Sequence, residues 1–185
     1  MEFYSWSRRS KTSVALSAAL LLGIGLVGTT TEASAHKSKR HHRHHHYYSH
    51  DAANVAMKTP ECSTTCTALK KAGAVGLLRI HGPITVFAPS NAGWAKMTKE
   101  NREGLMNDPK RLAEVLKYHV VKGKYSAADL ADKRSLKTVQ GESLMVDNKS
   151  GTVVVDGCIV TTADVACDNG VIHIIDAVAI PERGK

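Results

Sequence analysis

The stretch that most constrains this chain is residues 84–97, ITVFAPSNAGWAKM. Ile84, Thr85, Val86 and Phe87 are β-branched or aromatic, and four such residues in a row predict a short buried strand. Pro89 ends it, because its ring fixes φ and it has no N–H to continue a ladder. Ser90 then offers a hydroxyl to the free N–H groups of a helix starting near Asn91, and Trp94 and Met97 give that helix an inward face. The segment predicts a sharp strand-to-helix corner with Phe87, Pro89, Ser90 and Asn91 as its structural residues.

Before the corner, residues 59–78 predict a helix with Cys62, Cys66, Leu69, Val75 and Leu78 inward, and Gly73 and Gly76 mark a break or a close packing point. After it, residues 98–106 predict a short helix. Asp108-Pro109 is a cap followed by proline in the first turn, opening a helix over 110–117 with Leu112, Val115 and Leu116 at helical spacing. Residues 118–121 read as a strand, which would send the Tyr118 and His119 side chains to opposite faces. Ser126 caps a helical piece at 127–130. From Ser135 the pattern is β, at 136–139, 144–146, 153–155, 159–161 and 171–175, with turns at 147–151, Asp156-Gly157 and Asn169-Gly170. Helices first and hairpin-linked strands later predict an α+β fold with a largely antiparallel sheet. No Gly-rich phosphate loop supports a nucleotide-binding alternative.

Residues 1–35 follow a secretory pattern: Arg8, Arg9 and Lys11, then an apolar run from Val14 to Val27, then Ala33-Ser34-Ala35 as a cleavage site. The mature chain is expected to begin at His36, to be secreted or held in the periplasm or cell envelope, and to carry no transmembrane span once the leader is cleaved. Residues 36–51, HKSKRHHRHHHYYSHD, hold seven of the ten histidines and too few aliphatic side chains to fold alone. They predict a disordered, cationic tail that touches anionic cell-surface polymers, with metal uptake by His41, His42, His44, His45 and His46 as the alternative. Part of the net charge of +8 sits there, where Lys37, Lys39, Arg40 and Arg43 face Asp51 alone. The remaining 52–183, read as one domain, is only mildly basic, which argues against a specific nucleic-acid surface.

Four cysteines in a chain of this pattern are compatible with two disulfides in any of three connectivities. A Cys62–Cys66 bridge would be badly aimed within a helix, so pairing with Cys158 and Cys167 is the expectation. Zinc fits poorly, since neither pair has knuckle spacing and no histidine is local to them. Ser90, His119, His173 and Asp164 invite a nucleophile–base–acid reading, but no strained Gly-x-Ser-x-Gly elbow surrounds Ser90. His173, among Val171, Ile172, Ile174 and Ile175, is expected to be buried and to tie its strand to the corner at 88–91. No cofactor and no catalytic residue are expected. Asp164 reads first as a cap or loop stabiliser, and Asp176 as a turn residue.

Three segments, GPITVFAPSNAGWAKM, LAEVLKYHVVKGKYSAADL and ADVACDNGVIHIIDAVAIP, resemble in order and spacing the first box, the Tyr-His segment and the second box of the fasciclin (FAS1) domain family, in its small secreted single-domain bacterial form. The resemblance runs from about Cys62 to Pro181, with Trp94 where the family usually carries phenylalanine. It implies a β-sandwich or wedge of short strands wrapped by several helices, with Asn169, Gly170 and His173 as second-box structural residues. It also implies a non-enzymatic adhesion or matrix-interaction module whose partner is a cell-surface protein, a polysaccharide or another copy of itself. The partner-binding candidates it carries are Tyr118 and His119, together with Asp164 and Val165, an acidic–aliphatic pair similar to integrin-contact motifs. The alternative expectation is a carrier of a small apolar ligand.

Overall fold

Six consecutive buried residues, β1 (Ile84–Pro89), lie alongside six more, β7 (Gly170–Ile175), in parallel register from Ile84 opposite Gly170 to Pro89 opposite Ile175. A run this apolar suits a strand covered on both faces. The computed structural model describes residues 50–149 and 151–182. The leader and most of the tail, including His41, His42, His44, His45 and His46, lie outside the described residues.

Around this pair stand β2 (Val120–Lys122), β3 (Ser135–Lys137), β4 (Ser143–Lys149), β5 (Thr152–Val155) and β6 (Cys158–Cys167), in the order β2-β1-β7-β6-β5-β4-β3. Every other neighbouring pair is antiparallel. The two ends of the sheet also meet: Val121 bridges Thr138, and the Val139 N–H donates to the Val120 carbonyl at 2.7 Å. The expected sandwich or wedge is therefore corrected to one seven-stranded mixed sheet curled into a barrel-like form. The parallel pair was invisible to hairpin signals, which report only on strands adjacent in sequence.

Side-chain alternation along β1 divides the core. Ile84, Val86 and Ala88 join Val120, Ile172 and Ile174 beneath the helices, whereas Phe87 joins a second cluster with Val121, Leu136, Leu144, Val155, Cys158 and Ile175, drawn from every strand. Full burial of a Phe side chain is worth about 2–3 kcal/mol.

The helices are α1 (Ala52–Lys58), α2 (Ser63–Lys71), α3 (Asn91–Ala95), α4 (Lys99–Asn107), α5 (Pro109–Tyr118) and α6 (Ala127–Ala131). Their starts follow capping chemistry. Asp108 accepts from the Lys110 and Arg111 N–H groups with Pro109 in the first turn, and Ser126 and Asp129 form a reciprocal capping box. The helix expected over 59–78 is broken: Pro60 opens a tight turn, α2 ends before Gly73 at φ +62°, and a second tight turn spans Val75–Arg79. Helix α1 buries Ala52, Ala53 and Ala56, side chains too small to announce an apolar face in the sequence. Tyr118 closes α5 instead of opening a strand, and β6 runs on through Thr161, Thr162, Ala163 and Asp164, with shifts in register about Thr162.

The expected disulfides are not formed; all four cysteines are free thiols. Cys62 and Cys66 lie in the cluster beneath the helices, and Cys158 lies in the other, on the far side of the sheet. Cys167 is opposite Gly170 at the Ile84 end of the central pair, while Thr65, beside Cys66, bonds Pro89 at the other end. Five residues of strand separate those ends by roughly 16 Å, beyond the reach of a disulfide. Burial pushes the Cys62 and Cys158 thiols up to about 11 and so suppresses their thiolates. A thiol-reactive dye should label the folded protein slowly and label all four cysteines once it is denatured without reductant.

Gly170 is required by close approach. A Cβ there would overlap the Ile84 carbonyl and its backbone neighbours, none of which can swing aside. Gly170→Ala should cost about 3 kcal/mol or more, read as a lower midpoint in urea unfolding, because it forces the central pair apart.

Candidate functional site

The corner after β1 is held from three sides. The Ser90 Oγ accepts from the Gly93 N–H at 3.0 Å, and the Ser90 N–H donates to the Ile175 carbonyl at 2.9 Å. Asn91 reaches back to the start of α2: its Oδ1 accepts from the Thr64 N–H at 2.9 Å, and its Nδ2 donates to the Pro60 carbonyl at 2.9 Å. Thr65 donates to the Pro89 carbonyl at 2.6 Å and accepts from the Trp94 indole N–H at 2.8 Å. A buried indole needs such an acceptor, so Thr65 is what lets tryptophan occupy position 94.

Asn169 does the corresponding work at the other end of the central pair. Its Nδ2 donates to the Leu78 carbonyl at 2.9 Å and its Oδ1 accepts from the Ala52 N–H at 2.8 Å. Beside it, the Asp168 N–H donates to the His50 carbonyl and the Asp168 carboxylate accepts from the His50 N–H.

His119 follows α5 as its C-terminal cap and is buried. Its Nε2 accepts from the Ala179 N–H at 3.2 Å, which leaves Nδ1 to donate to the Val115 carbonyl at 2.7 Å. Both contacts require the neutral ring, and burial drives its pKa down to about 4. His173 is fully buried and stacks on Phe87, ring centroids 5.6 Å apart. Its Nδ1 accepts from the Asp164 N–H at 3.2 Å, and its Nε2 donates to the Tyr125 carbonyl at 2.8 Å. Burial again lowers the pKa. The expected tie from His173 to the 88–91 corner is replaced by these two contacts; Ser90 makes the corner's tie to β7 itself.

Tyr118 points the other way from its neighbour. Its phenol is 3.3 Å from the Ser143 carbonyl and 3.4 Å from an Asp156 carboxylate oxygen, and burial, then the Asp156 charge, hold its pKa above the usual phenol range. Tyr118 and His119 are thus both buried, and any partner would meet what they hold in place. Asp164 is exposed and Val165 half-buried. Asp164 sits at φ +58°, and its Oδ1 accepts from the Ala127 N–H at 3.0 Å, joining the irregular part of β6 to the start of α6. Asp176 accepts from the Ile159 N–H and pairs with Lys96.

Ser90, His119, His173 and Asp164 are not a triad. All four imidazole nitrogens are engaged by backbone groups, and the Asp164 contact to His173 runs through its N–H while its carboxylate turns to α6. A cleft of about 670 Å³ lies along α5 and is lined by Lys110, Arg111, Glu114, Lys117, Gln140 and Pro181. None of those four residues lines it. Three polar residues of this scaffold escaped the sequence reading: Thr65, Thr85 and Tyr125. Thr85 donates to the Gly123 carbonyl at 2.7 Å and accepts from the Tyr125 N–H at 2.9 Å, and its only signal was a threonine inside an apolar strand.

A model of the fasciclin domain matches residues 60–181. The Synechocystis protein sll1735 is 35% identical over 126 residues, 68% of this chain and 94% of its own length. The transforming growth factor-beta-induced protein ig-h3 of Sus scrofa is 34% identical over 123 residues, 66% of this chain and 18% of that protein. Among solved structures, a FAS1 domain pair from the insect cell adhesion molecule Fasciclin I aligns with a TM-score of 0.61 at 21% identity, covering 73% of this chain and 52% of that one.

His119 makes stability depend on pH. An unfolded histidine binds its proton near 6.5, the folded one near 4, so between those values the unfolded chain takes up a proton that the fold refuses. This contribution is constant above pH 6.5 and lost as pH falls towards 4, by roughly 3 kcal/mol in all. Urea titrations from pH 7.5 to 4.5 should show that slope, and His119→Gln should reduce it by about one proton while lowering stability at pH 7.5 by about 1–3 kcal/mol.

Proposed function

The chain belongs to the fasciclin domain family, and on that footing we propose that it is an exported, non-enzymatic adhesion or matrix-interaction module. Its partner is a cell-surface protein, a polysaccharide or another copy of itself, met by the surface of the domain at 52–183. The observation that carries this reading is how the polar side chains of the three matching segments are used. Ser90, Asn91, His119, Asn169 and His173 each bond backbone groups and so build a rigid support. Such a support suits a protein that works by presenting a fixed surface. The fold likeness to a cell adhesion molecule agrees with it.

Asp164 and Val165 are the partner-binding candidates that reach solvent, and Tyr118 and His119 act through the backbone they position. The His-rich tail expected at 36–51 adds a cationic, weakly binding arm up to His50 and Asp51, which are built into the fold, with metal uptake by its histidines as a subsidiary role. No described helix is long and apolar enough to cross a membrane.

The full protein, incubated with isolated cell-envelope material, should be retained weakly at low salt and released as ionic strength rises past about 0.15 M. Deleting residues 36–48 should weaken retention several-fold. The deletion stops there because Asp51 caps α1 and pairs with Arg79. Retention unaffected by both treatments would remove the tail from the reading, and no retention at all would remove the reading.

A further inference from the structure

The seam where the sheet closes on itself holds a cationic cleft. Strands β2 and β3 touch through one bridge, Val121 with Thr138, and the bond from the Val139 N–H to the Val120 carbonyl. Continuing that antiparallel register by one residue sets Lys122 opposite Lys137, where cross-strand side chains have Cβ atoms about 5 Å apart. Like charges in that relation repel, and among the described residues neither ammonium has a carboxylate partner. Beside them is an open cleft of about 520 Å³, lined by both lysines, Val121, Tyr125, Thr138, Val139 and Gly141. No acidic residue lines it. The Glu142 carboxylate accepts from the Gln140 amide and the Glu182 N–H.

The cleft is built on the buried scaffold. Thr85 and His173 grip the Tyr125 backbone from inside the protein, and the Tyr125 ring lies against Gly123, where a Cβ would stand 2.8 Å from a ring carbon. Two unneutralised lysines beside a fixed aromatic side chain make a site poised for an anion with both hydroxyl and C–H surface to offer.

We propose that the Lys122–Lys137–Tyr125 cleft binds a carboxylated polysaccharide. Charge complementarity requires an anionic occupant. An extended acidic peptide would bind best by adding a strand, but the seam backbone is already joined by the bridge and the Val139 bond. A uronate-type sugar needs no strand edge: its carboxylate meets the two ammonium groups, its C–H face meets the tyrosine ring, and its hydroxyls meet the phenol, which has no partner among the described residues. This deepens the surface-module reading and rests on it for its setting.

The test is calorimetric titration of the full protein with oligogalacturonate at low salt, beside a poly-glutamate peptide of equal charge. The wild type should bind oligogalacturonate measurably and more tightly than the peptide. Lys122→Gln/Lys137→Gln should weaken binding about tenfold or more, and the charge-matched Lys70→Gln/Lys71→Gln, on the exposed end of α2, should leave it unchanged. If the double variant folds poorly, each single lysine variant carries the test with a loss of about threefold. No binding, equal loss in both double variants, or peptide binding as tight as sugar binding would overturn the cleft. Envelope retention that survives alongside any of those results would leave the surface-module reading standing. Lysine-dependent sugar binding by a protein that envelopes do not retain would keep the cleft and remove that reading.

Discussion

The parallel pairing of β1 with β7 is the constraint on which the rest of this molecule depends. The two strands are the first and the last of the sheet in chain order, are buried along their whole length, and carry the residues that separate the two halves of the core. Every antiparallel hairpin in the sheet can form from local chain. This pair must instead wait for some eighty intervening residues to be gathered, an entropic cost that contact order expresses as slow folding. The fold compensates with polar clamps at each end: Asn91 ties the Pro89 end to the start of α2, and Asn169 ties the Gly170 end to α1 and the loop after α2. Each clamp uses an amide that donates and accepts at once, which a carboxylate could not do.

The histidines follow the same logic. An imidazole with one nitrogen donating and the other accepting is a neutral bridge between two backbone groups that have no secondary-structure partner. His119 bridges the end of α5 to the C-terminal segment, and His173 bridges the irregular stretch of β6 to the loop before α6. Burial secures the neutral form that both roles require. Among the described residues no buried side-chain nitrogen or oxygen lacks a partner, so the polar core is fully used in holding loops at fixed positions.

Much of this is legible in the sequence. The strand at 84–87, the Ser90, Asp108 and Ser126 caps and the Asp156-Gly157 hairpin turn all rest on local chemistry, and they stand where that chemistry puts them; Asp156 and Gly157 both take the positive φ such a turn demands. What was not legible lacks a local signature. Alanines build α1 without an amphipathic pattern, residues 161–164 extend β6 without alternation, and strand partners distant in sequence leave no turn between them. The cysteines misled because their number is a property of composition, whereas pairing is a property of which face and which end of the sheet each one reaches. At the site, sequence singled out His119 and His173 and expected His173 to be buried, but could not name their partners, because Tyr125, Asp164 and Ala179 are brought to them by topology alone.

The contact between Trp94 and Thr65 has a consequence for how such chains diverge. Thr65 accepts the indole proton while giving its own to Pro89, so a larger ring at 94 is tolerable only where position 65 supplies a lone pair. Replace the indole by a benzene ring and that duty lapses, leaving position 65 held to a hydroxyl only by its bond to the Pro89 carbonyl. The two sites therefore constitute one heritable choice, and drift at either should be conditional on what the other already holds.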